Sequence, residues 1–339
     1  MSARSRKVAP HLAVFLLVTT IHSLGLLEFL EFKVADARYN LLQREPQGDL
    51  VLIEIDSVSL QELDVWPWPR AYHAAVIETL LAAGARRIAI DIDFSSHSTP
   101  EQDRALERAL SNAHGRVILP AFMQSITGHD IDQQVALTRP LPEFVQHAPL
   151  GSVNVVADTD GRVRRMSLSA PWGETTLPSL FARLAGSPDR EHQSFYLDYG
   201  IRTNGIPRIS YADVLRGRFD PELIAGRNVM IGATAIELGD LAPVPVYGML
   251  PGVILQALAY ESLVQDRTIR RLATGPIVIV TLCIVLLFAS RFNNWSWRRG
   301  LLFVGCSVPL QTVYRPCQQF VCYKLVESAD DDCVFNLAG

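Results

Sequence analysis

Apolar residues are distributed along the chain in two ways. At either end they run without interruption: VAPHLAVFLLVTTIHSLGLL (8–27) holds no acidic, lysine or arginine side chain, and LATGPIVIVTLCIVLLFAS (272–290) has the same texture. About 20 apolar residues cross the ~30 Å hydrocarbon core of a bilayer, so these runs predict spanning helices over 8–30 and 272–290. Between them the apolar positions are periodic. LVLIEI (50–55), RIAIDI (87–92), RVIL (116–119) and NVMIG (228–232) are short, nearly continuous runs, the mark of strands buried on both faces of a parallel sheet.

Helical spacing separates these strands. Over 69–83, Val76, Ile77, Leu80 and Leu81 form one stripe opposite Glu78 and Thr79, and Gly84 stands where a left-handed C-cap is wanted. EQDRALERALSNAHG (101–115), LPSLFARLA (177–185) and PGVILQALAYESLVQD (251–266) predict three more helices. Ser210 and Asp213 have capping-box spacing, and Asp220 with Pro221 opens a further turn. GSVNVVADTDGRVRRMSLSA (151–170) alternates on both sides of an Asp-Gly pair, which predicts an antiparallel hairpin and accounts for Asp158 and Asp160 by turn chemistry. The expected fold is α/β: a mixed, largely parallel sheet flanked by helices, with an antiparallel hairpin insertion, outside the cytoplasm between transmembrane helices.

Charge orients the spans. Arg4, Arg6 and Lys7 precede the first run, and Arg291, Arg298 and Arg299 follow the second, so 1–7 and 291–299 are expected in the cytoplasm and 31–271 outside it. Arg267, Arg270 and Arg271 run against this, but the even number of spans agrees with it. The rival for the first run is a cleaved signal peptide ending near Ala35-Asp36-Ala37. The long apolar run, with Glu28, Glu31 and Lys33 crowding the cleavage zone, favours an uncleaved anchor. A partial third span is expected over 300–314, and 315–339 reads as an irregular, truncated or frame-shifted tail. The net charge of −4 removes the electrostatic case for nucleic acid. All five cysteines lie at or after Cys283, so the 31–271 domain relies on its own core rather than disulfides. Cys317, Cys322 and Cys333 lack the spacing and the nearby histidine of a zinc site. No cofactor is expected.

The candidate chemistry gathers around WPWPR (66–70). Proline after each tryptophan stiffens the segment and aims Arg70 at a helix N-terminus, where a cation wants an acidic partner. Asp56, Asp91 and Asp93 stand at or just beyond strand ends, the carboxyl edge where open α/β sheets bind ligands. Three readings follow: Arg70 paired to one of these carboxylates beneath a tryptophan lid; a ligand pocket walled by Trp66 and Trp68; or a divalent-metal site at Asp56, Asp91 and Asp93 serving an enzyme. His97 and His73 are expected to be a surface-loop and a packed or exposed residue. GATAIELGD (232–240) is expected to be a structural turn, with a phosphate-binding turn as the alternative.

VLIEIDSVSLQELDVWPWPR, AGARRIAIDIDF, the later Asp103, NVVADTDGRVRR, ISYADVLRG, NVMIGATAIELGD and PGVILQALAYESL together resemble the type 2 CHASE domain, the cyclases/histidine-kinases-associated sensing extracellular domain of bacterial receptors. The resemblance runs over about 36–270. It implies an extracytoplasmic sensor in the bacterial inner membrane, feeding a GGDEF or EAL domain, a nucleotide cyclase or a histidine kinase. None of these output motifs follows Leu310 in this chain, so the chain itself is not expected to be an enzyme. The resemblance marks Asp56, Trp66, Pro67, Trp68, Arg70, Asp91, Phe94 and Asp240 as fold or pocket residues, with Asp93 beside them. Expected partners are the membrane and an unidentified small ligand or periplasmic protein. A homodimer is expected because such cyclases and kinases work in pairs, though no heptad here supports it. A periplasmic protein-binding scaffold is the remaining alternative.

Overall fold

The computed structural model describes residues 28–63, 66–126, 134–173, 175–187 and 194–270, with Thr20, Cys283 and residues 315–316. The runs expected to span, 8–30 and 272–290, the segment 300–314 and the tail therefore lie almost wholly outside the described residues. Among the described residues, no helix is long and apolar enough to cross a membrane. Residues 39–268 form one compact unit, distinct from 1–38 with 269–339.

Helix α1 spans Glu28–Leu41. In the 39–268 unit, β1 (Leu50–Ile55) is followed by α2 (Ser57–Glu62), α3 (Arg70–Ala82), β2 (Arg87–Asp91), α4 (Pro100–Asn112), β3 (Val117–Ile126), β4 (Gln134–Thr138), α5 (Pro142–Val145) and β5 (Leu150–Ser152). Then come β6 (Arg165–Ser167), β7 (Ser169–Trp172), β8 (Thr175–Pro178), α6 (Leu180–Leu184), β9 (Ser194–Tyr196), β10 (Arg208–Ser210), α7 (Tyr211–Leu215), β11 (Asn228–Ala233), β12 (Leu241–Val244), β13 (Gly248–Pro251) and α8 (Gly252–Val264).

The main sheet has the order β10–β1–β11–β2–β3, all parallel; β5 continues it in parallel along 119–121 and β4 closes it antiparallel along 122–126. The continuous apolar runs follow from this arrangement, because helices cover both faces. Val51, Ile53, Ile88, Ile90, Val117, Val229 and Ile231 point into a core shared with Val76, Ile77 and Leu80 of α3, Leu106 and Leu110 of α4, and Tyr211 and Val214 of α7. On the other face, α8 packs against β1 and β11, and α6 against β2, β3 and β5. The alternation of strand side chains sends Asp91 and Gly232 to that second face. A Cβ on Gly232 would lie 2.7 Å from Val253 of α8 and 3.3 Å from the Asp91 Cβ, so this glycine exists to let α8 approach the sheet. That settles the 232–240 stretch as a packing device at its first residue. Thr234 and Ala235 both donate backbone N–H groups to the Ile55 carbonyl, which fixes the turn after β11.

Several sequence expectations shift. The Asp-Gly turn forms at 158–161 with Gly161 at φ 78°, but only the isolated bridge Val156–Arg165 flanks it. The chain before it joins the parallel sheet as β5 and the chain after it pairs with β9; two-stranded hairpins form instead at β7–β8 and β12–β13. Turn chemistry alone does not explain Asp158 and Asp160. Asp160 forks onto the buried Arg164 at 2.8 and 2.9 Å, and Asp158 takes Arg165 at 2.6 Å. Ser210 precedes α7 but makes no side-chain cap; its hydroxyl goes to Asp56 instead. Asp220 does cap its turn, accepting from the Glu222 N–H at 3.0 Å.

Candidate functional site

Ile55, Asp91 and Ala233 end three adjacent strands in register, with Ile55 opposite Ala233 and Gly232 opposite Asp91. Two clefts open over this carboxyl edge, divided by Trp66, Ile92 and Asp93, which line both.

The first cleft, about 810 Å³, lies along the WPWPR elbow and is lined by Trp66, Trp68, Arg70, His73, Asp93 and Phe94, among others. A cis peptide joins Trp66 to Pro67. Trp68 stacks on Tyr211 with ring centroids 4.8 Å apart, and Trp66 meets Trp68 edge-on at 5.0 Å. Arg70 opens α3 as expected, but its partner is Asp103 rather than Asp56, Asp91 or Asp93. Asp103 lies in the first turn of α4, which packs on α3 and brings the carboxylate to the guanidinium. Arg70 also donates to the Ser96 carbonyl and sits over the Phe144 ring at 5.1 Å. Burial works against ionising Asp103, yet hydrogen bonds from His97 and the Ser98 N–H, with the Arg70 charge, hold its carboxyl below the usual range. His73 is buried, with Nδ1 2.7 Å from the Tyr211 hydroxyl; burial first and Arg70 second push its pKa down to about 4, so the ring is neutral.

The second cleft, about 610 Å³, lies between the strand ends and the start of α8. Asp91, Asp93 and Asp240 line it, along with Trp66, Gly252, Gln256 and an apolar wall that includes Ile55, Phe122 and Val153. No lysine, arginine or histidine is among its described lining residues. Burial, then the neighbouring Asp240 charge, raises Asp91 to about 7. Burial also raises Asp240, partly offset by a hydrogen bond from the Gly252 N–H. Gly252 makes this approach feasible: a Cβ there would lie 2.6 Å from Asp240 Oδ2. Asp93 is exposed and satisfied locally by the Ser95 N–H at 2.8 Å and hydroxyl at 2.9 Å.

The structure therefore brings Trp66, Asp91, Asp93 and Asp240 to one cleft and Trp66, Trp68, Arg70 and Asp93 to the other. Asp56 lines neither. It caps α2, accepting from the Ser59 N–H at 2.8 Å, and takes the Ser210 hydroxyl at 3.0 Å. Among the described residues, the grouping with metal-ligand proximity is His97, Asp103 and Glu143, not Asp56 with Asp91 and Asp93. Arg70 already compensates Asp103 in that grouping.

Sequence reasoning missed Gln256 and Glu261. Both are nearly fully buried on α8, whose residues 253–263 are all buried. Their signal was polarity inside an otherwise apolar helix, PGVILQALAYESL. Gln256 donates through Nε2 to the Val153 carbonyl at 3.3 Å, and its Oε1 has no partner. Glu261 accepts from the Gln47 N–H at 2.8 Å and from Gln265 at 2.9 Å. Beyond it, buried Asp198 takes Arg267 at 2.8 Å and lies 3.5 Å from Arg44. The helix does not run on toward residue 272: Asp266 takes a positive φ of 53°, and the Arg267 N–H turns back to the Ser262 carbonyl.

The class is that of α/β domains with a largely parallel sheet and an acid-lined cleft over its carboxyl edge, the edge at which such sheets ordinarily bind ligands. The family model for the CHASE2 domain matches residues 13–290, and the chain belongs to that family of extracellular sensory, non-catalytic domains. No curated protein and no solved structure matches the chain.

Proposed function

We propose that residues 39–268 are the ligand-receiving part of a bacterial membrane receptor, held outside the cytoplasm between the apolar runs 8–30 and 272–290, and that they report to a GGDEF, EAL, cyclase or histidine-kinase output. One observation carries this reading: α8 touches both the cleft and the chain's two exits. Its first two turns supply Gly252 and Gln256 to the second cleft. Its last turn is bonded through Glu261 to Gln47, and the residues just beyond it are tied through Arg267 to Asp198 and hence to Arg44. A ligand that fits better with α8 in one position than another shifts the population of that position by its differential affinity, and the same helix carries the shift to 44–47 and 265–267.

The test is topological. With the five cysteines replaced by serine, a cysteine is placed at exposed Glu222, which lines neither cleft, and intact cells are treated with a membrane-impermeant maleimide. Labelling before lysis is expected. Labelling that appears only after lysis overturns the receptor reading.

A further inference from the structure

We propose that the second cleft is built for an organic cation, a protonated amine carried on an apolar body. The identification deepens the sensory reading and rests on it for its biological meaning. Three observations converge. First, Asp91 and Asp240 line the cleft together, with Asp240 close enough for its charge to disfavour ionisation of Asp91, and none of the described lining residues is cationic. The neighbouring cleft differs in this respect, because the cation that lines it, Arg70, is already paired with Asp103 behind it. Secondly, Gln256 is 1% exposed and borders the cleft with its Oε1 lacking any hydrogen-bond partner. Buried acceptors are ordinarily satisfied, so an unmet amide oxygen next to two carboxylates asks for a donor. The Gln256 Nε2 is already engaged with Val153, which leaves the acceptor as the available group. Thirdly, the rest of the wall is apolar or aromatic, with Trp66 at the divide between the clefts, and a volume of about 610 Å³ holds a small organic molecule.

These acceptors suit an ammonium group better than a hard divalent ion. Ca²⁺ takes six to eight oxygens and Mg²⁺ six. Asn154 cannot add its amide oxygen readily, since it already accepts from the Met123 N–H at 2.8 Å. Asp93 is held by Ser95. An ammonium has three N–H donors, and Asp91, Asp240 and Gln256 offer acceptors for all three. Its apolar body would lie against Ile55, Phe122 and Val153. A phosphate at this place would meet like charge, so the phosphate-turn alternative for 232–240 does not apply to this cleft.

The probe is phenethylammonium, with uncharged 2-phenylethanol as its shape control and Ca²⁺ and Mg²⁺ as competitors. Binding is measured by calorimetry on the full chain in nanodiscs. Saturable binding of phenethylammonium is expected, with the alcohol weaker by about tenfold or more, the equivalent of one 1.4 kcal/mol charge-assisted contact. Asp240→Asn and Asp91→Asn should each weaken it by a similar factor, and Gln256→Met by less. Binding should tighten from pH 6 to pH 8. The titratable groups facing the site among the described residues are Asp91 from β2, Asp93 from the following loop and Asp240 from the turn before β12, while β1, β3, β11 and α8 bring none. Asp91→Asn should flatten that dependence.

Equal affinity for the alcohol, unchanged affinity in both aspartate variants, or displacement of the amine by Ca²⁺ or Mg²⁺ at lower concentration would each overturn the proposal. Should Asp240→Asn fail to fold, Asp91→Asn remains the decisive variant, because the neutral amide replaces a carboxyl whose ionisation the fold opposes. Amine binding to a domain that labels only after lysis would leave the site and remove the receptor. An externally labelled domain indifferent to amines would do the reverse.

Discussion

The two clefts share a wall, a sheet edge and a tryptophan, yet they treat charge in opposite ways. Along the WPWPR elbow the buried charge of Arg70 is answered by Asp103 and the Ser96 carbonyl, and the His73 ring stays neutral against the Tyr211 hydroxyl. Around Asp91 and Asp240 the Asp240 charge opposes ionisation of Asp91, with no cation among the described lining residues. The first arrangement serves stability and the second resembles a site left ready for an outside partner. The conspicuous aromatic run thus belongs to the cleft whose charge is already paired, while the proposed amine site lies in the quieter one.

The comparison can be broken most forcefully at Asp103. Removing it by Asp103→Ala strands a buried guanidinium, which costs about 3–5 kcal/mol. A loss below about 1 kcal/mol in urea unfolding would mean that Asp103 is not what compensates Arg70.

A smaller effect tests the sign of each cleft's response to pH. His73 has a folded pKa of about 4 against an ordinary 6.5, so the unfolded chain binds more protons in that interval. Its contribution is complete above pH 6.5 and lost as pH falls toward 4, amounting to about 3 kcal/mol. His73→Gln should flatten that acid limb in thermal melts taken at successive pH values; an unchanged limb would contradict a buried neutral ring.

Asp91 works the other way. Its folded pKa of about 7 lies above the ordinary 3.8, so the folded chain binds more protons, and stability falls as pH rises from about 4 through 7. Asp91→Asn should therefore stabilise the protein at pH 8, by about 2 kcal/mol once partial solvent contact is allowed for, and leave it unchanged below pH 4. Destabilisation at pH 8 would show that the carboxylate is satisfied rather than stressed. The smallest expected effect concerns Asp56, outside both clefts: Asp56→Ala should cost about 1 kcal/mol as a lost helix cap and leave phenethylammonium affinity unaltered.

Much of the sheet was legible because burial on both faces writes a strand as an unbroken apolar run: 50–55, 87–91 and 228–233 lie where the pattern puts them. Helix α2 was not legible, since six residues give no period and its announcement is one capping carboxylate, Asp56. The hairpin expected around Asp158 was displaced to β7–β8, because strand pairing across the 151–170 stretch is decided by which neighbours the folded sheet offers. At the site, strand-end logic found Asp91 and Asp93. The choice of Asp103 for Arg70 depends on how α3 packs on α4, across 33 residues of chain, and no local pattern encodes it. Gln256 was visible only as an oddity in a greasy helix, and its meaning required knowing that the helix roofs a cleft.

Asp198 has a mechanical consequence. One sequestered oxygen, Oδ2, lies against Arg267 at 2.8 Å and Arg44 at 3.5 Å, the residues where the chain departs from and arrives at this unit. It acts as a rivet between two stems. Displacing either arginine from that oxygen leaves the carboxylate to the other, so the two positions are coupled through a single buried acceptor.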